Sequence, residues 1–132
     1  MRIFIDTDVL LDLLLERHPY FESSSGVIDW AETHPGSASV SWHGLANLHY
    51  LSKDGALDFI RELLEFCEVP RTGSAQMQDA LGLGLPDLED AMQVAAAIVF
   101  GAQMIVTRNL KDFSGSPIKA VSPAEIMPLL YR

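Results

Sequence analysis

The chain has 132 residues, 48% of them hydrophobic, which is enough apolar side chain to build one core and suits a single domain spanning residues 1–132. A net charge of −9 argues against gripping nucleic acid by a broad basic face, but not against binding phosphate through metal ions held by carboxylates. The one cysteine, Cys67, excludes an internal disulfide, and no apolar run reaches membrane-spanning length, so a cytoplasmic protein with no membrane partner is expected.

Arg2 to Ile5 is apolar and β-prone and reads as a first strand. Asp6-Thr7-Asp8 follows it, then a leucine-rich helix from Val9 to Leu15, stopped by His18-Pro19. Ser23-Ser24-Ser25 suit the cap of a second helix ending near Glu32. Ser37 to Ser41 reads as a strand, and Trp42 to about Ser52 as a helix. Asp54 suits the N-cap of a further helix to about Leu64, and Phe66 to Val69 reads as a third strand. Ser74 suits the cap of a helix to about Leu81, after which Gly82 to Asp87 ("GLGLPD") is too broken for a strand. Pro86 and Asp87 open a long helix, Leu88 to Phe100, that Gly101 closes. Met104 to Val106 and Ile118 to Val121 are the last two strands, and Ser122-Pro123 starts the last helix.

Strands alternating with helices predict a three-layer α/β/α fold on a mainly parallel sheet of about five strands, with ligands beyond the strands' carboxyl ends. That rim collects acids from distant segments. Asp6 and Asp8 leave the first strand, Asp87 and Asp90 begin the long helix, and Asp112 follows Thr107-Arg108-Asn109 after the fourth strand. Helix capping accounts for one or two of Asp87, Glu89 and Asp90, but not for Asp6 and Asp112 arriving at the same edge. Clustered carboxylates raise one another's pKa unless a cation neutralises them, and an oxygen-ligated Mg²⁺ or Mn²⁺ is the economical answer. Asp90 ranks first among the helix acids, because Ala91, Val94, Ala95 and Ile98 place it above the expected buried stripe; Glu89 ranks last.

"IFIDTDVLLDLLLERHP" and "DLEDAMQVAAAIVFGAQMIVTRNLKDF" together resemble the PIN-domain ribonuclease family, which includes the toxin subunits of VapBC-type toxin–antitoxin pairs. The resemblance implies metal-dependent cleavage of single-stranded RNA by a metal-activated water. On the matching motif positions it implies catalytic carboxylates at Asp6, Asp90 and Asp112, and metal ligands drawn from Asp6, Asp8, Asp87, Asp90 and Asp112. Thr7, Asn47, Thr107, Arg108 and Asn109 fall at the polar positions around them. The resemblance further implies a homodimer and a cognate antitoxin protein as partners. Two departures stand out. Asp8 replaces an Asn common in the family, and Asn47 occupies the position where the family usually has its second acid, which puts a second metal site in doubt. Arg108 and Lys111 are the cations best placed to steer phosphate. Trp42 and His49 are candidates for contact with RNA bases, or for packing. Two alternatives remain open at this level: a haloacid-dehalogenase-like phosphatase with Asp6 as nucleophile, and a PIN-fold binding module with impaired catalysis.

Overall fold

Ile3 to Ile5 form the central strand because every side chain in it is apolar and both faces are covered, the arrangement a parallel sheet requires. A computed structural model describes residues 1–132. Its elements run β1 (Ile3–Ile5), α1 (Thr7–Leu14), α2 (Phe21–Thr33), β2 (Ala38–Ser39), α3 (Trp42–Ser52), α4 (Ala56–Leu63), β3 (Cys67–Glu68), α5 (Ser74–Gly82), α6 (Leu88–Phe100), β4 (Met104–Val106), a 3₁₀ turn (Leu110–Phe113), β5 (Lys119–Val121) and α7 (Pro123–Leu130). The five strands are all parallel, in the order β3-β2-β1-β4-β5.

Alternation along β1 divides the core in two. Ile3 and Ile5 point to one face, where they meet Val9 and Leu10 of α1, Val27 and Ala31 of α2, and Ile126 of α7. Phe4 points to the other, where it meets Val94 and Ala97 of α6, with Ile105 and Phe113. α5 packs on the outside of α6. The result is three layers, as the strand–helix alternation predicts.

The sheet order carries the functional consequence. From β1 the chain steps one way to β2, and it later returns to pair β4 on β1's other side. The carboxyl ends of β1 and β4 therefore open the crevice where strand order reverses, the usual ligand position in such sheets.

Several boundaries differ from expectation. α1 starts at Thr7, with Asp6 as N-cap accepting from the Thr7 amide at 2.7 Å, so Asp8 lies inside the first helical turn. Ser23–Ser25 do not cap α2; they lie within it, and the Ser24 hydroxyl turns inward to Asp12. Gly55, in a left-handed conformation (φ 74°), replaces Asp54 at the start of α4. Ser74 is the first helical residue of α5, not its cap; the Gly73 amide before it donates to the Gln76 side chain at 2.9 Å. α6 has the expected bounds and buries Ala91, Val94 and Ala95 as expected, but its buried face also takes in Gln93, Ala96, Ala97 and Phe100, and Ile98 is 49% exposed.

Candidate active site

Asp6 is the fixed point of the crevice. One carboxyl oxygen accepts from the Gln93 side-chain amide of α6, and the other accepts from the Thr107 hydroxyl at the end of β4, at 2.8 Å. Asp6, Thr107 and Gln93 are all buried. Burial pushes the Asp6 carboxyl above its usual range, aided by the nearby charge of Glu89; the donated hydrogen bonds pull the other way. Thr107 also accepts from the Asn109 amide at 3.0 Å, so one hydroxyl orders both Asp6 and the loop after β4.

Asp8 stands beside Asp6 with its two oxygens in different situations. Oδ2 accepts from the Asn109 side-chain amide at 2.9 Å and from the Arg108 main-chain amide at 3.2 Å. Oδ1 is buried and has no hydrogen-bond partner. Burial and the Asp6 charge push the Asp8 pKa up to about 7. Asp90, at the start of α6, is likewise pushed up to about 7, first by burial and then by the charges of Glu89, Asp6, Asp87 and Asp112. Three carboxyl groups that resist ionisation thus face one crevice.

That crevice, of about 250 Å³, is lined by Asp6, Thr7, Asp8, Asn47, Glu89, Asp90 and Asn109, with Leu11, Tyr50 and Leu51 as its apolar wall. The wall comes close because residue 44 is glycine. A Cβ there would lie 2.7 Å from the Thr7 hydroxyl oxygen, so only glycine lets α3 pack this tightly on α1. No three of the acids or histidines are drawn around a single point. Asp6 is turned to Gln93 and Thr107, and Asp8 to Asn109.

The structure brings Asp6, Thr7, Asp8, Asn47, Asp90, Thr107 and Asn109 together as expected. Other residues stand apart. Asp87 is exposed and caps α6, accepting from the Glu89 amide at 2.8 Å. Asp112 is exposed on the 3₁₀ turn and, with Lys111, lines a neighbouring hollow; its charge still reaches Asp90. The Arg108 guanidinium points away from the crevice. It donates to the buried Asp12 at 2.7 Å and lies over the Tyr20 ring, 4.0 Å from its centroid.

Three participants are absent from the sequence reading or ranked low in it. Glu89 lines the crevice, Gln93 anchors Asp6, and Asp12 holds Arg108, Arg17 and Ser24. Asp12 carried a readable signal, a lone acid in a run of leucines. Glu89 and Gln93 are i and i+4 on one helix, and their side chains meet at 3.2 Å.

A parallel three-layer α/β/α fold with carboxylates meeting at its switch point places the chain among carboxylate-centred α/β domains. The sequence matches the PIN domain family over residues 2–111, and the chain belongs to that family. Its fold is similar to three solved structures. The first is described as a toxin–antitoxin complex from Klebsiella pneumoniae (23% identity, 93% of this chain and 98% of that chain covered, TM-score 0.69). The second is VapBC2 from Rickettsia felis bound to a DNA fragment from its promoter (17%, 92% and 98%, 0.66). The third is PAE2754 from Pyrobaculum aerophilum (15%, 98% and 95%, 0.65). No curated protein sequence matches the chain significantly. No helix is long and apolar enough to cross a membrane.

Proposed function

We propose that the chain is a divalent-metal-dependent endoribonuclease that cuts single-stranded RNA, and that it acts as the toxin of a toxin–antitoxin pair. The observation that carries this reading is the Asp8 Oδ1 atom, a buried carboxylate oxygen without a partner, set beside two further carboxyls whose pKa burial and neighbouring negative charge raise. A hard cation relieves both conditions at once, and an all-oxygen donor set suits Mg²⁺ or Mn²⁺.

Asp6, Asp8 and Asp90 are the residues proposed to hold the ion, with Glu89 and Asn47 at the edge of the set. When bound, the ion supplies an activated water and offsets charge building on the phosphate. The chain's own groups prepare the site. Thr107 and Gln93 fix the Asp6 carboxyl, while Asn109 and the Arg108 amide occupy Asp8 Oδ2 and leave Oδ1 free. Asp87 and Asp112 are assigned a charge effect on Asp90 rather than ligation.

The family and the toxin–antitoxin descriptions of similar folds support an antitoxin partner, and exposed apolar side chains away from the crevice, such as Leu15, Leu57 and Leu64, support a homodimer. Against the phosphatase alternative, no strand precedes Asp87. The neutral Asn47 in the crevice favours a slow enzyme over a fast one.

The test is cleavage of an unstructured RNA by the purified protein with Mn²⁺, with Mg²⁺ and with chelator. Cutting is expected with either metal, and not with chelator or in Asp90→Asn. Equal cutting in the presence of chelator, or none under any condition, rejects the reading.

A further inference from the structure

The crevice does not close at Glu89. His43, one helical turn before Asn47 on α3, brings its Nε2 within 3.7 Å of a Glu89 carboxyl oxygen. That separation is too long for a hydrogen bond, and the buried Nε2 has no other partner. Beyond this contact opens a second cavity of about 330 Å³, lined by His43 of α3, Ser74, Gln76 and Met77 of α5, and Met92 and Ala95 of α6. Both hollows have α3 and α6 in their walls, and the His43–Glu89 contact joins a residue of one lining to a residue of the other.

The lining of this cavity divides by polarity. Met77, Met92 and Ala95 give it apolar surface, while the Ser74 hydroxyl and the Gln76 amide give it hydrogen-bonding edges. A nucleobase has the same division: apolar faces and a polar rim. Thr72 belongs both to this cavity and to an adjoining hollow that holds Trp42 and Arg71. Trp42 is 77% exposed, unusual for so large an apolar ring and suited to stacking on a base. Arg71 makes no ion pair, whereas Arg17, Arg61 and Arg108 are each tied to an aspartate.

We propose that the His43–Met92 cavity is a base-recognition subsite, taking the nucleobase of a nucleotide adjacent to the phosphate in the acidic crevice, with Trp42 and Arg71 receiving the strand beyond it. This rests on the ribonuclease reading and adds to it a determinant of RNA sequence preference. The crevice presents carboxylates that discriminate no base; the cavity supplies what that chemistry lacks. Gln76 and Ser74 then become specificity residues facing the base edge, and His43, its Nε2 turned to Glu89, forms the wall on the crevice side.

The experiment uses the full chain with Mn²⁺ and a short single-stranded oligoribonucleotide that has one mapped cut site. Each nucleotide in turn is replaced by an abasic one, and kcat and KM are measured for every substrate. The wild type is expected to show one position, beside the cut, where losing the base lowers kcat/KM at least tenfold, mainly through KM. Gln76→Leu, which keeps bulk but removes the amide, and Ser74→Trp, which fills the cavity from an exposed position, are expected to cut the intact oligonucleotide no better than that abasic one. Both should cut the abasic substrate at the wild-type rate. If either folded variant retains the wild-type penalty for base loss, or if the wild type cuts RNA with no positional penalty, the subsite is refuted while the ribonuclease reading survives. If the wild type cuts no RNA, both fall. Should Gln76→Leu fail to fold, Ser74→Trp decides alone, since Ser74 lies on the surface.

Discussion

Replacing Asp12 by Asn should destabilise this domain more than any single neutralisation of an exposed acid. The Asp12 carboxyl is fully buried, and three donors converge on it: Arg17 at 3.1 Å, Arg108 at 2.7 Å and the Ser24 hydroxyl at 2.9 Å. Asn keeps the shape but removes the charge, and turns one oxygen into a donor facing other donors. Breaking a buried pair in this way typically costs about 3–5 kcal/mol. The lower end applies here, because both arginines reach partly into solvent and regain hydration. With an unfolding entropy of about 2.1 cal/mol/K per residue, 132 residues give about 0.28 kcal/mol/K, so a loss of ~3 kcal/mol lowers Tm by ~11 °C. Asp58 is the control. It pairs with Arg61 at 2.8 Å, but both side chains are exposed, and Asp58→Asn should cost under about 1 kcal/mol. Thermal and urea unfolding of both variants, followed by circular dichroism, provide the measurement. A loss below about 1 kcal/mol for Asp12→Asn, or equal losses for the two variants, would show that burial does not set the worth of this network.

Other outcomes follow from the same geometry. Asp8 and Asp90 hold their protons more tightly in the folded chain than in the unfolded one, so the metal-free protein should lose stability as pH rises from about 4 to about 7 and level off above that. Urea titrations at pH 5 and pH 8 measure the fall, to which Asp90, the more solvent-exposed of the two, contributes less; greater stability at pH 8 would contradict the sign. Gly44→Ala should force α3 off Thr7 at a cost of ~1–3 kcal/mol, seen as a lower urea midpoint. Thr107→Val removes the hydroxyl that donates to Asp6 and accepts from Asn109, and should cost ~1–3 kcal/mol in the same assay; an unchanged midpoint would mean water replaces it.

The strand–helix alternation and the rule that ligands gather at carboxyl ends were sufficient to locate Asp6, Asp8, Asp90 and Asn109 on one rim. Backbone direction alone places those residues. Side-chain direction was harder to read. Arg108 sits in the sequence between Thr107 and Asn109, both at the crevice, yet its guanidinium leaves for Asp12, a partner 96 positions away. Asp87 and Asp90 are three apart, but Asp87 precedes the helix and spends its carboxyl on the cap. The buried stripe of α6 was misread at its polar member: a hydrophobic pattern passes over Gln93, whose burial makes sense only once Asp6 is seen opposite it. The strand expected over Ser37–Ser41 narrows to Ala38–Ser39, although Ser37 and Val40 still hydrogen-bond to the neighbouring strands.

The position of β1 has a consequence for how the protein comes into being. The first strand made is the central one, and its partner on the acidic side, β4, is made about a hundred residues later. Thr107 and Asn109, which set the Asp6 and Asp8 carboxyls, come from just beyond that late strand. Contacts so far apart in sequence close late in folding. A ribosome therefore adds about a hundred residues after β1 before the acids find their places, so a chain truncated before β4 carries Asp6, Asp8 and Asp90 but not the geometry that holds them.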